Sequence, residues 1–131
     1  MVFDSDFLDS LTVKAKENER LRQHYDLRNS EDDNCQMMLN AVEPGTVLKI
    51  HKHPHSSTLT IVLRGSVLIH IYNDEGVVLK SVKLTTDSCP GFTVLENEWH
   101  NLESLETGTV IYEQKGCKYD PKTDSVFFED K

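Results

Sequence analysis

The sequence has few cysteines, and they do not occur in close pairs. Cys35, Cys89 and Cys117 are odd in number, are widely spaced and form no CxxC motif. A disulfide framework normally uses an even set of cysteines, and a thiolate zinc site uses closely spaced ones, so the sequence favours neither. We expect three free thiols packed inside the fold.

Long apolar runs and a basic leader are also lacking. The longest apolar stretches, such as LTIVL at residues 59–63, are much shorter than the roughly 20 residues that a membrane-spanning helix needs. Residues 1–20 do not show the basic-then-apolar order of a signal peptide. These absences predict a soluble, cytoplasmic protein without a membrane partner.

Positive charge is scarce as well. The chain has 14 Lys and Arg against 22 Asp and Glu, which gives a formal net charge of −8. An acidic protein repels phosphate backbones, so nucleic acid is not an expected partner. With 131 residues, the chain has room for a single domain.

The first pattern that is present predicts a helix near the N-terminus. Residues 4–18 begin with the possible N-caps Asp4 and Ser5 and carry acidic residues early and lysines late, an order that complements a helix dipole. An apolar stripe at helical spacing is formed by Phe7, Leu8, Leu11 and Ala15. This stripe would pack on the rest of the fold or pair two chains. Residues 19–34 are dense in charge and predict an irregular, solvated connection or, as an open alternative, a flexible or partner-contacting segment. Residues 1–34 would thus form an extension before the main domain.

From Cys35 onward the sequence changes to short runs of β-branched and aliphatic residues. Turn signals such as EPG at residues 43–45 and NDEG at residues 73–76 separate these runs. This pattern predicts an all-β sandwich or barrel over residues 35–131. The predicted strands are 36–42, 46–53, 59–64, 66–72, 77–84, 92–96, 99–103 and 109–115.

Three histidines predict a metal site. His51 and His53 are two residues apart within the predicted strand 46–53, so a strand would turn both imidazoles to one face. His100 stands at the start of another predicted strand, and strands so far apart in sequence meet when a double-sheet barrel closes. Neutral imidazole is a ligand for divalent transition metals, so we predict one such ion per chain, Fe, Zn, Ni or Mn.

The same stretch resembles the first motif of the cupin superfamily. Gly45, His51, His53 and Gly65 fall at the spacing of that motif, and Thr58 occupies its usual glutamate position. The resemblance implies a double-stranded β-helix, or jelly-roll barrel, with a metal bound inside it. Cupin barrels often pair, so it also implies a possible homodimer.

The sequence LENEWH at residues 95–100 is similar to the second cupin motif, PxGxxH. His100 is retained, and Asn97 replaces the glycine. Asn tolerates positive φ better than most non-glycine residues, so the turn can survive this replacement.

A closer resemblance is to the WbuC-like cupin metalloproteins, and it covers nearly the whole chain. The matching segments are NERLRQHYDLR, QMMLNAVEPGT, HKHPH, VLRG, EWH, GTVIYEQKG and YDPKTD. The resemblance implies a single barrel with a short N-terminal extension. Some members are encoded among genes for surface-polysaccharide synthesis, which implies a carbohydrate-related substrate.

The missing glutamate changes the chemistry that the site can support. With Thr58 in its place, three neutral histidines leave the metal one negative charge short of a two-His, one-carboxylate site. Such a centre should hold metal less tightly and attract an anionic, chelating ligand more strongly. Water, His55 and Glu113 are the open alternatives for a fourth ligand.

Strand alternation predicts that further residues lie in the interior of the barrel. Lys49 and Arg64 would hold an anionic group near the metal, unless they are solvated strand charges. Gln36 and Asn40 share one face of their strand and would bond a sugar or a metal-bound water, unless they are ordinary strand residues. Glu113 and His70 are the titratable candidates for acid–base catalysis, unless His70 is a hydrogen-bonded core histidine.

These residues favour a metal-dependent enzyme that acts on a small molecule inside the barrel, and the resemblance implies a carbohydrate-related one. The alternative is a non-catalytic cupin that binds or senses a small ligand or sugar. The absent carboxylate and the lack of a clear acid–base pair support this alternative. A structural barrel with a vestigial site, which would bind no stoichiometric metal, is the third hypothesis.

Overall fold

The computed structural model describes residues 1–131, beginning with one helix, α1 (Ser5–Glu17). Asp4 is its N-cap, and the Asp4 carboxylate accepts a hydrogen bond of 3.0 Å from the backbone amide of Phe7. This bond satisfies one of the free amides of the first turn. The predicted helix is therefore confirmed to within one residue at each end.

Ten strands and a short 3₁₀ helix, Phe128–Asp130, follow the helix. The strands are β1 (Arg22–Asp26), β2 (Gln36–Val42), β3 (His51–Lys52), β4 (Thr58–Arg64), β5 (Ser66–Tyr72), β6 (Val78–Thr85), β7 (Gly91–Val94), β8 (Trp99–Ser104), β9 (Val110–Lys115) and β10 (Val126–Phe127).

The strands form two five-stranded sheets, in the orders β1-β2-β9-β4-β7 and β10-β3-β8-β5-β6, with all neighbours antiparallel. Alternate residues of both sheets turn inward and form a common core. Its members include Val62, Val67, Ile69, Ile71 and Ile111, each at most 3% exposed. The protein has the jelly-roll barrel of the cupin fold, as the sequence predicts.

Helix α1 lies against the outside of the first sheet. Leu8, Leu11 and Ala15 form a second buried cluster with Leu39 and Ala41 of β2. The apolar stripe of the helix is thus covered by its own chain, because the outward residues of β2 are apolar. It is not available to pair two chains, so that expectation is wrong.

The expected irregular connection over residues 19–34 is wrong in its first part. Residues 22–26 form β1, which pairs with β2 and places His24 opposite Asn40. Backbone hydrogen bonds form an edge strand regardless of side-chain charge, and charged side chains are common on exposed edges. The high charge density of this segment therefore did not reveal the strand.

The predicted strand 46–53 is shortened to His51–Lys52. Residues 46–50 form a loop instead, in which Val47 is 80% exposed. The Thr46 hydroxyl anchors this loop by donating a 2.7 Å hydrogen bond to the carbonyl oxygen of Arg20. Strand β10 was not predicted, since two residues are too few to show a pattern. The other predicted strands agree within two residues at each end.

The three cysteines are all free, as their number and spacing predict, but each is only partly buried rather than packed inside the fold. No helix of the protein has both the length and the apolar composition that crossing a membrane requires.

Candidate metal centre

The fold brings the three predicted ligands together. His51 on β3 and His100 on β8 are directly paired across the sheet, and His53 follows β3 immediately. One candidate ligand atom from each ring lies within 4.8 Å of those from the other two. His53 and His100 are each 7% exposed, and His51 is half-buried.

The turn before β8 ties His53 to the second motif. Asn97 has φ of +64°, the left-handed conformation that a glycine would adopt without strain. Its backbone amide donates a 3.1 Å hydrogen bond to the carbonyl oxygen of His53. The expectation that asparagine preserves this turn is confirmed.

Each histidine ring is oriented by a hydrogen bond from its Nδ1 atom to a backbone carbonyl. The acceptors for His51, His53 and His100 are the oxygens of Lys49, Asp124 and Glu98, at 2.8, 2.9 and 3.0 Å. A carbonyl oxygen can only accept, so each Nδ1 carries the proton and each Nε2 keeps a free lone pair. This is the orientation that metal-bound histidines usually have.

Burial also keeps the rings uncharged. Desolvation lowers the pKa of His53 to about 4, with the nearby Lys115 ammonium as the second cause. Desolvation and the neighbouring His51 ring lower the pKa of His100 to about 3, and desolvation lowers the pKa of His51. All three imidazoles are thus neutral at pH 7, the state that binds metal.

A cavity of about 110 Å³ adjoins the histidines inside the barrel. His51 and His100 line it together with Thr58, Thr60 and Glu113. The Thr58 hydroxyl is buried without a hydrogen-bond partner. Three neutral nitrogens beside oxygen donors that face a small cavity fit a divalent transition metal, although this donor set does not select one metal.

Two of the proposed fourth ligands do not join the histidine cluster. His55 is exposed, because the chain turns outward after Pro54. Glu113 lines the cavity but lies outside the cluster, and its Oε1 accepts a 2.8 Å hydrogen bond from the Asn40 side chain. Glu113 is therefore placed to contact a ligand in the cavity rather than to complete the cluster, and Asn40 orients its carboxylate.

Gln36 shares the inward face of β2 with Asn40, as predicted, but contacts a different group. Its side-chain amide donates a 2.9 Å hydrogen bond to the carboxylate of Asp124. The Lys115 ammonium lies 3.2 Å from the same carboxylate, and both side chains are about one-tenth exposed. This buried ion pair adjoins His53, whose Nδ1 lies 3.6 Å from an Asp124 carboxylate oxygen.

Lys49 and Arg64 do not lie inside the barrel, and the alternative that they are charges at the surface fits the structure. The Lys49 side chain is 61% exposed and pairs with Glu129 at 2.6 Å, because its loop does not continue the alternation of β3. A register shift between Val62 and Arg64 takes Arg64 out of the inward pattern, and its guanidinium pairs with Asp9 at 2.6 Å. Neither is positioned to hold a ligand in the cavity.

His70 faces the outside of its sheet. Its neighbours Ile69 and Ile71 turn inward, and alternation therefore turns His70 outward, where its Nδ1 lies 2.7 Å from the hydroxyl of Ser81. His70 therefore does not line the cavity, and it is hydrogen-bonded on the outer face rather than in the core. Glu113 is the catalytic candidate that does line it.

Several residues near the centre were missed in the sequence. Asp124, Ser125 and Phe127 of the C-terminal segment contact the histidine rings. Asp124 is the last residue of the YDPKTD stretch, and Ser125 and Phe127 follow it. The resemblance marked that stretch, but no spacing rule links the C-terminus to β3. Arg20 and Arg22 share a groove with His51. They lie in residues 19–34, where the many other charged residues gave no reason to single them out.

A sequence model of the family described as "Domain of unknown function (DUF6016)" matches residues 3–84. No sequence among curated proteins matches the chain.

Solved structures with the same fold include three that share little sequence. An oxalate oxidase in complex with glycolate has a TM-score of 0.66 and 14% identity, over 84% of this chain and 56% of that one. The Lactobacillus farciminis oxalate decarboxylase formate complex has a TM-score of 0.63 and 9% identity, over 83% and 32%. CapF with the inhibitor 3-isopropenyl-tropolone has a TM-score of 0.65 and 18% identity, over 79% and 30%. The chain thus spans about half of the first protein and about a third of the others, and the likeness shows the cupin fold.

Proposed function

We propose that this chain, which belongs to the family described as a domain of unknown function, DUF6016, is a cupin that binds one divalent metal ion through His51, His53 and His100. One observation carries the proposal. Backbone carbonyls hold all three Nδ1 atoms, so three neutral Nε2 atoms are left for a metal. A protein that used these rings only for packing would not need all three to be oriented in this way.

We further propose that the protein is a metal-dependent enzyme of small-molecule metabolism. A bound divalent metal supplies Lewis acidity that polarises a carbonyl or hydroxyl group. Glu113 is the general-base candidate, since Asn40 engages its Oε1 and the carboxylate faces the cavity. A carbohydrate-related substrate rests on the resemblance to WbuC-like cupins. A cytoplasmic location and the pairing of two chains remain predictions.

A non-catalytic ligand-binding or sensing cupin is the second candidate. It is favoured by the position of His70 on the outer face of its sheet, which leaves Glu113 without the other predicted acid–base partner. A single carboxylate suffices to bind a ligand hydroxyl, whereas many hydrolytic and isomerising reactions need a paired acid and base.

Elemental analysis tests the metal centre. Protein purified without a nickel column should contain about one transition metal ion per chain. His51→Ala and His100→Ala should each lose it, because two imidazoles hold a divalent metal much less tightly than three. His70→Ala is the matched control, since His70 lies on the outer face of its sheet. Undiminished metal in the His51 and His100 variants would overturn the site.

Turnover separates the enzyme from the binding protein. Metal-loaded protein is offered nucleotide sugars and small keto and hydroxy acids, and product is followed by mass spectrometry. An enzyme should lose turnover in Glu113→Gln while its metal content is unchanged. Saturable ligand binding without product would instead support the second candidate.

A further inference from the structure

A groove of about 660 Å³ opens on the surface of the barrel and has His51 in its wall. Its other walls come from residues 19–22, from the loop at residues 45–49, and from Ser125 and Phe127 near the C-terminus. His51 is the one half-buried member of the histidine cluster and also lines the inner cavity. His51 and Leu48 line both the groove and the inner cavity, so the groove adjoins the predicted metal site.

Two arginines in this groove have no carboxylate partner. The Arg22 guanidinium donates hydrogen bonds to the Val47 carbonyl at 3.1 Å and to the Thr46 hydroxyl at 3.4 Å, and to no acid. The Arg20 side chain makes no hydrogen bond or ion pair in the protein. Burial, and secondly the positive charge of Arg20, lowers the pKa of Arg22, so the two guanidinium groups repel each other. Together they form a positive region without a counter-ion.

The remaining arginines of the chain are both neutralised. Arg28 pairs with Asp26 at 2.9 Å, and Arg64 pairs with Asp9 at 2.6 Å. In a chain with a net charge of −8, acidic partners are plentiful. The unpaired arginines therefore occur together in the groove that leads to the histidines, where a ligand can reach them.

The rest of the groove does not cancel this charge. Glu19 is its only lining carboxylate, and the third lining cation, Lys49, is already paired with Glu129. At the other end, three neutral histidines would leave the full charge of a divalent metal uncompensated. The groove would thus present positive charge at two places, with the apolar side chains of Leu48 and Phe127 among its lining residues.

We propose that this groove binds a small molecule with two acidic ends, one held by Arg22 and Arg20 and the other at the metal beside His51. Guanidinium groups bind carboxylates and phosphates through paired hydrogen bonds, so either group suits the arginine end. The apolar lining suits a short hydrocarbon link between the two acids. This inference rests on the proposed metal centre and assigns its ligand class.

Calorimetric titration of zinc-loaded protein tests the inference. The probes are succinate, 2-phosphoglycolate and, as the uncharged analogue of succinate, succinamide. We expect saturable binding of at least one dianion and none of succinamide. The preferred dianion shows whether the second acidic group is a carboxylate or a phosphate. Loss of a charge-assisted hydrogen bond in Arg22→Gln should weaken dianion binding about tenfold or more.

Further variants separate the loss of a ligand contact from a disturbance of the fold. Because Arg22 also ties the loop at Thr46 and Val47, Arg20→Gln is the second variant, and it should weaken dianion binding without disturbing that loop. Lys14→Gln removes the same charge from an exposed site on α1 and should bind the dianion as the unmodified protein does.

The outcomes distinguish this inference from the proposed function. Zinc binding is measured first, by competition with a chelating dye. Stoichiometric zinc with equal dianion affinity in the unmodified protein, Arg20→Gln and Arg22→Gln overturns the groove assignment and leaves the metal centre standing. Binding of succinamide as tight as that of succinate also overturns it. Absence of zinc binding overturns both proposals, and is visible before any dianion is added.

Discussion

Thr58 is the residue that distinguishes this centre from the common two-His, one-carboxylate site. It is 2% exposed, its hydroxyl has no hydrogen-bond partner, and it lines the same cavity as His51 and His100. A neutral hydroxyl contributes no negative charge to a metal. A divalent metal bound here would keep its positive charge until a ligand neutralised it, in keeping with the unpaired arginines of the nearby groove.

Thr58→Glu should tighten metal binding about tenfold or more, because a carboxylate in the cavity adds Coulombic attraction for the ion. Thr58→Gln is the matched control, since it adds nearly the same volume without the charge. Competition with a chelating dye measures both affinities. Equal zinc affinities for the two variants would show that position 58 does not reach the metal.

Gly65 belongs to the same motif but has a structural role. Its φ is +83°, and a Cβ added there would lie 2.2 Å from the Thr109 hydroxyl oxygen and 2.7 Å from the Thr109 Cα. Both the conformation and the close approach require glycine. Residues of one motif can thus have different roles, since its histidines form the predicted metal site and Gly65 permits close chain packing.

At the scale of elements, the C-terminal segment completes the metal centre. Strand β10 pairs with β3 and places Phe127 opposite His51. Before it, the Asp124 carbonyl orients His53, and the Asp124 carboxylate is held by Gln36, Lys115 and Ser125 at 2.9, 3.2 and 3.0 Å. Asp124 is therefore a positioning residue that fixes both the segment and the His53 ring.

Asp124→Asn should destabilise the protein by about 3 kcal/mol, because it leaves the buried Lys115 ammonium without its partner. Metal should also dissociate faster, since the carbonyl that orients His53 lies in the loosened segment. Urea unfolding measures the stability, and transfer of zinc to a chelator measures the dissociation rate.

Asp32→Asn is the control for that variant. Asp32 pairs with Lys118 of the same C-terminal region, but at 3.3 Å on the surface, with the Asp32 side chain 92% exposed. Solvent screens such a pair, so little change in stability is expected. Equal losses in the two variants would contradict a special role for the buried pair.

At the scale of the whole molecule, burying histidines makes stability depend on pH. Protonation of the unfolded rings begins near pH 6.5, whereas the folded pKa values of His53 and His100 are about 4 and about 3. Between these limits the unfolded chain binds more protons, so folding stability falls as pH falls below 6.5. Well above pH 6.5 the rings are neutral in both states, so they no longer reduce the folding stability.

Metal-free protein should therefore be less stable at pH 5 than at pH 7.5, by about 2 kcal/mol for each of these two rings. Urea unfolding of chelator-treated protein at the two pH values measures the difference. His100→Gln should remove the contribution of that ring, about 2 kcal/mol. A difference that is absent in the unmodified protein would contradict the burial of neutral rings.

Much of the architecture was predictable because it depends on local patterns. The alternation along residues 36–42 and 66–72 sets β2 and β5 at their observed bounds, and capping by Asp4 starts α1. The spacing of His51, His53 and His100 with the motif glycines predicted their convergence, because strand alternation and a known barrel topology leave few other arrangements.

Tertiary structure alone decided which side chains surround that centre. The loop at residues 46–50 turns Lys49 outward, and the register shift in β4 turns Arg64 toward α1, although alternation placed both inside. Asp124 reaches His53, and Arg22 shares a groove with His51, only because the barrel closes. Such contacts depend on where distant segments meet in space, and local sequence patterns carry no information about that distance.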